Sequence, residues 1–307
     1  CLVRIGRTPV VTGYVDVFMP SISGRAHEIT VSGRSKCADL VDCSAEWPGG
    51  QISGASVLDV ARQLAAPYGI EVDATDDPGG VIPTFNLMRG ETAYEIIERL
   101  CRFRQLLAYD DIDGNLVLAR TSTQRAASGF REGINVQSAS AVYSAHDRFS
   151  EYRCYLQAVA QLLDLGEGGD LIASRLDQTV LRHRLKIIIA EASGGGIGGL
   201  DVAADRVSWE ASRRYGRSSV IRLTTDSWRD KAGALYEPNT LVPVDLPSLK
   251  VTGKIWTIGE VTYRRGEQGT LADLVIMPPQ AFNPAPTVFN SALAAEVASL
   301  PAGVGLR

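Results

Sequence analysis

The side chains that could do chemistry are few and scattered. His27, His146 and His183 are the histidines of the sequence, and none has a second histidine or a cysteine at the short spacing a zinc site needs. Cys1, Cys37, Cys43, Cys101 and Cys154 are odd in number and form no C-x-x-C pair, which argues against both a disulfide framework and structural zinc. Thiols this thinly spread fit a protein folded in a reducing cytosol. Cys37 and Cys43 are near enough in sequence to meet, but buried free thiols are the expectation. A G-x-S-x-G nucleophile elbow is absent. A carboxylate pair for glycan hydrolysis would be distant along the chain and cannot be picked out of it. The sequence therefore offers no catalytic, cofactor-binding or metal-ligating residue.

Two loops imitate sites without the residues to complete them. Asp111-Ile112-Asp113-Gly114 resembles part of an EF-hand, but aligning its glycine puts Tyr109 and Arg120 where the first and last oxygen ligands belong. The same residues separate Leu106–Tyr109 from Leu116–Ala119, as the turn of a β-hairpin would. Gly194 to Gly199 satisfies G-x-G-x-x-G between a strand and a helix spanning Ala203 to Tyr215. Glu191-Ala192-Ser193 intervene, however, and no parallel βαβ series follows, so a connector is expected rather than a dinucleotide cradle. The helix carries Arg206, Arg213, Arg214 and Arg217, with Glu210 among them. Arg206, Arg213 and Arg217 share a face at spacings of seven and four, which reads as a solvated face, a subunit contact or a channel lining.

A formal net charge of −4 gives no broad basic footprint for nucleic acid, and no apolar run reaches the roughly 18–20 residues that span a bilayer. Four segments are expected. Residues 1–46 read as the last part of a small β-barrel, with strands at Val10–Met19 and Ala26–Ser32; the start at Cys1, in mid-pattern, suggests that earlier strands are missing. Residues 47–125 read as an α/β domain. Ser56 with Asp59 and Thr92 with Glu95 are capping boxes, and Ile96, Leu100, Phe103 and Leu107 form the apolar face of the second helix. Pro78-Gly79-Gly80 is its most exposed loop. Residues 126–280 read as a second β-barrel with the helix inserted around 201–217. There Val136–Tyr143 and Ser150–Ala158 form a hairpin, Leu163–Asp177 a mobile acidic loop, Ile187-Ile188-Ile189-Ala190 a core strand, and Val220–Thr225, Leu241–Asp245, Lys254–Tyr263 and Thr270–Met277 the closing strands. Residues 281–307 read as an extended tail with a short helix near Leu293–Leu300.

The stretch from Ala26 to Ala45, AHEITVSGRSKCADLVDCSA, shows a strand, a break at Gly33, and a short helical segment bearing Asp39 and Asp42. With Ala66-Pro67-Tyr68-Gly69-Ile70, Asp147-Arg148-Phe149-Ser150-Glu151-Tyr152 and Leu235-Tyr236-Glu237-Pro238-Asn239 following in order, the chain resembles the Mu-type baseplate hub proteins of contractile-tailed phages, to about Pro279. The resemblance implies a mainly β fold of two small antiparallel β-barrels plus an α/β domain. Three subunits would form a ring that adapts a sixfold tail tube to a threefold spike and leaves a channel for the genome. The implied role is structural, not enzymatic, and the implied location is the virion tail after assembly in the host cytoplasm. The implied partners are further copies in a homotrimer, the central spike protein, tail tube or tube-initiating proteins, baseplate wedge proteins, and DNA passing without specific binding; no membrane insertion is implied. Gly33, Arg34, Lys36, Asp39, Asp42, Asp147, Arg148, Tyr152, Pro238 and Asn239 match the motifs. The charged ones are expected to bridge subunits or domains, and the Pro-Asn pair to shape a barrel turn. The chain departs from the pattern at its start, at the 194–199 loop and beyond Pro279. Two other readings remain: the hub of a phage-tail-like bacteriocin or secretion apparatus, and a tail-associated cell-wall hydrolase.

Overall fold

A computed structural model describes residues 1–158, 171–192, 199–267 and 269–283. The expectations for 163–170, 194–198 and 293–300 lie outside those residues, as does the side chain of Phe103. The chain divides into two compact units, with the break after Arg120.

In the first unit β1 (Leu2–Ile5), β2 (Thr8–Ile22) and β3 (His27–Ser35) form an antiparallel sheet in that order. β3 does not end at Gly33 as the pattern predicts. Strand pairing continues to Ser35, because Gly33 fills a place where a Cβ would stand 2.0 Å from the Tyr14 carbonyl oxygen. Gly13 is confined in the same way, with a Cβ falling 1.9 Å from the Arg34 carbonyl. Only glycine permits this approach of two backbones, and the register slips beside it, between Val15 and Val17. Ser23 closes the far end, accepting from the Ala26 amide through Oγ.

α1 (Ala38–Asp42) lays Leu40 into the core of the α/β module. β4 (Gln51–Ala55) pairs antiparallel with β6 (Ile82–Asn86), and β5 (Val72–Ala74), β8 (Leu116–Ala119) and β7 (Leu107–Asp110) make a small sheet in that order. α2 (Val57–Ala65) and α3 (Ala93–Arg104) both begin at the expected capping boxes: Ser56 Oγ accepts from the Asp59 amide and Thr92 Oγ1 from Glu95. Their apolar faces, Val57, Val60 and Leu64 on one and Ile96, Ile97 and Leu100 on the other, bury with Ile52, Leu116 and Leu118. In the Pro78-Gly79-Gly80 loop Gly80 is exposed while Pro78 and Gly79 are half-buried, because Arg104 lies against Gly79 and donates to the Gly80 carbonyl.

The second unit holds β9 (Phe130–Arg131), β10 (Val136–Tyr143), β11 (Glu151–Ala158), β12 (Leu171–Leu176), β13 (Leu185–Ala192), α4 (Gly199–Arg217), β14 (Ser219–Thr225), β15 (Leu241–Leu246), β16 (Val251–Gly266) and β17 (Gly269–Met277). A six-stranded sheet runs β10-β14-β17-β16-β15-β9. Its inner face buries Ile221, Leu223, Val242, Val244, Ile258, Leu274 and Ile276 around Phe130 and Tyr236, whose rings are 4.9 Å apart. The sheet curls, and its ends meet through single contacts rather than a ladder: the Glu132–Val136 bridge, and Tyr143 donating to the Leu249 carbonyl.

β10 and β11 are not the expected hairpin. β11 instead pairs antiparallel with β12 and parallel with β13, making a separate sheet ordered β12-β11-β13. Residues 171–176, expected to be loop, are thus a strand. The isoleucine run of β13 is core on one face only: Ile188 is buried while Ile187 and Ile189 are exposed. α4 covers the buried face, setting Ala203, Val207 and Ala211 against Tyr152, Cys154 and Ile188. The strands at 151–158 and 185–192 therefore do not contribute to the six-stranded sheet.

Candidate interaction surfaces

Register alone sorts the outer part of the β2–β3 hairpin into two faces. Phe18 stands opposite Val31, Pro20 opposite Ile29 and Ile22 opposite His27, so these side chains share one face. Val17, Met19 and Ser21, opposite Ser32, Thr30 and Glu28, share the other. The first face is apolar and lies in solvent, with Phe18 62% and Ile22 86% exposed. A two-stranded ribbon is marginal in water without something to pack against, and a contiguous exposed apolar face marks a contact surface.

The root of that hairpin is fixed by charge. Arg34 donates from Nε to Asp16 at 2.8 Å and from both terminal nitrogens to Asp42, at 3.2 and 2.6 Å. The fork geometry is the one guanidinium makes best with a carboxylate. Asp42 and Asp16 hold the guanidinium charged well above its ordinary range, and Arg34 in turn holds the Asp42 carboxyl low. Lys36 donates its amide to the Thr12 carbonyl at 3.2 Å and lays its aliphatic stem against Gly114. Asp39 is half-buried in the first turn of α1.

The second motif wraps a loop. Arg148 donates to Asp177 at 2.6 Å and to Thr179, and stacks over Tyr215 at 5.1 Å. Both members of the Arg148–Asp177 pair are partly buried, at 15% and 16% side-chain exposure. Burial opposes ionisation of Asp177, but hydrogen bonds from Thr179 and Arg148 outweigh it and keep the carboxyl below the usual range. Tyr152 is wholly buried; its hydroxyl accepts from the Phe149 amide at 3.1 Å, and burial pushes its pKa up. Arg184 donates to the Ala145 and His146 carbonyls and Arg214 to the Asp147 carbonyl, so guanidiniums satisfy the loop's backbone. Pro238 and Asn239 make the turn into β15. Asn239 has φ +58°, and its side-chain oxygen accepts from the Ser122 amide. Arg34 and Arg148, expected to bridge subunits or domains, thus each engage carboxylates of their own unit.

On α4 the arginine face acquires a feature that the charge spacing did not show. Arg206 and Arg213 both stack on Trp209, at 4.7 and 5.0 Å from the ring centre. The indole N–H is taken by the Asn283 carbonyl at 2.8 Å. Arg214 turns the other way, to Glu210 at 2.7 Å and over Phe149. Asp16, Asp177 and Trp209 went unnoticed in the sequence. Only Trp209 left a signal there, lying three residues after one arginine and four before the other.

The five cysteines form no disulfide with one another, and burial drives the Cys37 and Cys101 thiols up to about 12, which makes those two unreactive. Among the described residues no three metal-ligating side chains gather, and no helix is long and apolar enough to cross a membrane.

Residues 37–120 match the family model of the baseplate hub protein gp44-like second domain, and residues 200–285 that of the fourth domain of Mu phage baseplate assembly protein GpP. Over 288 residues the chain is 32% identical to baseplate hub protein gp44 of Escherichia phage Mu, covering 90% of this chain and 74% of that one. The crystal structure of the 43 kDa tail protein of prophage MuSo2 from Shewanella oneidensis is similar, with 32% identity and a TM-score of 0.81 over 92% of this chain and 82% of that one. A tail protein from Neisseria meningitidis MC58 is 21% identical, with a TM-score of 0.72 over 90% and 83% of the two chains, a likeness of fold alone.

Proposed function

This chain belongs to the Mu-type baseplate hub family, components of the virion tail, and from that premise we propose that three copies close into a ring joining the tail tube to the central spike. The observation that carries the reading is the apolar face of the outer hairpin, Phe18, Pro20, Ile22, Ile29 and Val31, laid in solvent on a single chain. In the ring a neighbouring subunit buries that face, and closed symmetry leaves no copy with it uncovered. In that ring the three-stranded sheet of β1–β3 and the six-stranded sheet would count as two β elements per subunit, six in all, facing a sixfold tube.

The role is mechanical. A rigid ring transmits symmetry and holds open a channel through which genome passes, and a slightly acidic chain does not retain a polyanion that must move on. The spike, the tube or its initiating proteins and the wedge proteins are the contacts such a ring makes. Lys36 and Asp39 are the motif charges assigned to contacts between subunits, whereas Arg34, Arg148 and Asp147, which pairs with His146 and Arg214, shape the surfaces from within. Electron microscopy of the purified protein tests the reading. Threefold rings with a central opening are expected, and particles with no opening or with another symmetry would overturn it.

A further inference from the structure

The hairpin face cannot close a ring by itself. Two copies meeting hairpin to hairpin form a two-fold pair and stop, whereas a ring of three needs two unlike patches on every subunit, each meeting the other on the next copy. The second unit carries a patch of that kind. Register turns Tyr155 of β11, Leu176 of β12 and Leu185, Ile187 and Ile189 of β13 to the side of the β12-β11-β13 sheet away from α4. Leu176, Ile187 and Ile189 lie in solvent, at 66%, 52% and 62% exposure. β13 is the last strand of that sheet. The charges on the same face, Glu151 and Arg153, pair with each other at 2.5 Å and leave it neutral. An apolar sheet face left in water in this way marks a contact surface.

We propose that the isoleucine face of the β12-β11-β13 sheet receives the outer β2–β3 hairpin of a second copy of this chain. The two faces match in length. Phe18, Pro20 and Ile22 on β2 and Leu185, Ile187 and Ile189 on β13 each take alternate positions over five residues, about 13 Å of strand. Two such faces interdigitate as the layers of a β-sandwich do, about 10 Å apart. They also match in charge at one end. The hairpin root sets Asp16, Asp39 and Asp42 against Arg34 and Lys36, three acids to two bases, a surplus of one negative charge. Arg182, exposed just before β13, has no part in either ion pair nearby, Arg148–Asp177 or Glu151–Arg153. The opposite charges favour the hairpin root beside the Leu185 end. Each copy then gives one hairpin and receives one, and closure leaves neither face in water. The inference deepens the ring reading and rests on it.

The test mixes full-length variants and reads their mass by light scattering. Ile187→Asp/Ile189→Asp places charge on side chains already in solvent, so the fold is expected to survive by circular dichroism. Its association should be lost as completely as that of Phe18→Asp. Leu176→Asp, on a different strand of the same face, should weaken association about tenfold or more. An equimolar mixture of Phe18→Asp with Ile187→Asp/Ile189→Asp should form a pair of subunits and nothing larger. One intact hairpin meets one intact sheet face there, and the other two patches are spoiled. The mixture is read at about tenfold higher concentration, because a single contact lacks the gain from ring closure. A parent ring that survives both aspartate variants of the sheet face, or a mixture that stays single, would overturn the proposal while the parent's three-subunit mass keeps the ring reading. A parent that associates in another number, with the same losses and the same pairing in the mixture, fails the ring reading alone.

Discussion

The outer β2–β3 hairpin and the six-stranded sheet are both antiparallel β structure with apolar residues on one face, and they dispose of that face in opposite ways. The sheet curls upon itself, so Ile258 and Ile276, paired across β16 and β17, are both wholly buried. The hairpin has two strands and cannot curl around anything, so Phe18 and Val31, equally paired, both stand in solvent. The same pattern thus serves stability in one place and association in the other. What decides is the number of strands available to wrap a core.

The largest expected effects test that difference directly. Ile258→Ala or Ile276→Ala should cost about 2–5 kcal/mol of unfolding free energy by urea denaturation, while Ile29→Ala should change it by no more than about 0.5 kcal/mol. Phe18→Asp should leave the fold intact by circular dichroism and abolish association. A hairpin substitution as costly to the monomer as a core one would erase the contrast.

The two arginine clamps sharpen it. Arg148→Glu leaves the partly buried Asp177 beside a like charge and should destabilise the second unit by about 2–3 kcal/mol. Arg34→Glu, at an exposed clamp, should leave the unfolding midpoint unmoved while loosening the hairpin root, seen as faster amide exchange in β2 and β3. Gly33→Val drives a Cβ against the Tyr14 carbonyl and should cost about 1–3 kcal/mol, with exchange again rising along the hairpin.

Acid stability gives the smallest effect. Arg264 hydrogen-bonds the Asp273 carboxyl and holds it low, and Asp177 is low for the reasons given above. Carboxyls whose folded pKa lies below the unfolded value of about 3.9 contribute fully above that value and lose their contribution as pH falls through the folded one. Asp177→Asn and Asp273→Asn should therefore be less stable near neutrality and lose less on acidification from about pH 5 to about pH 2, measured as urea midpoints.

Much of the first unit was legible because its signals are local. Ser56-x-x-Asp59, Thr92-x-x-Glu95 and Asp113-Gly114 each set a terminus or turn within a few residues. Partner choice among strands is not local. β10 and β11 read as a hairpin because a polar turn separates them, yet each finds its neighbours far along the chain, in β14 for one and in β12 and β13 for the other. Gly33 looked like a break because a strand glycine usually is one; only the approach of Tyr14 shows why it continues. Of the motif residues, Arg34 was legible as a charge at a corner. Its partner Asp16 was hidden, because a register slip had to bring it alongside. Ile187 and Ile189 looked like core because an apolar run does not say which of its faces is covered.

The measurement that bears most directly on the central claim is the absolute mass of the protein in solution, by light scattering behind a sizing column at micromolar concentration. A particle of three 33.0 kDa subunits, reduced to one by Phe18→Asp, is the predicted result. A native protein that stays a single subunit across that range, with its hairpin face still in water, would contradict the account.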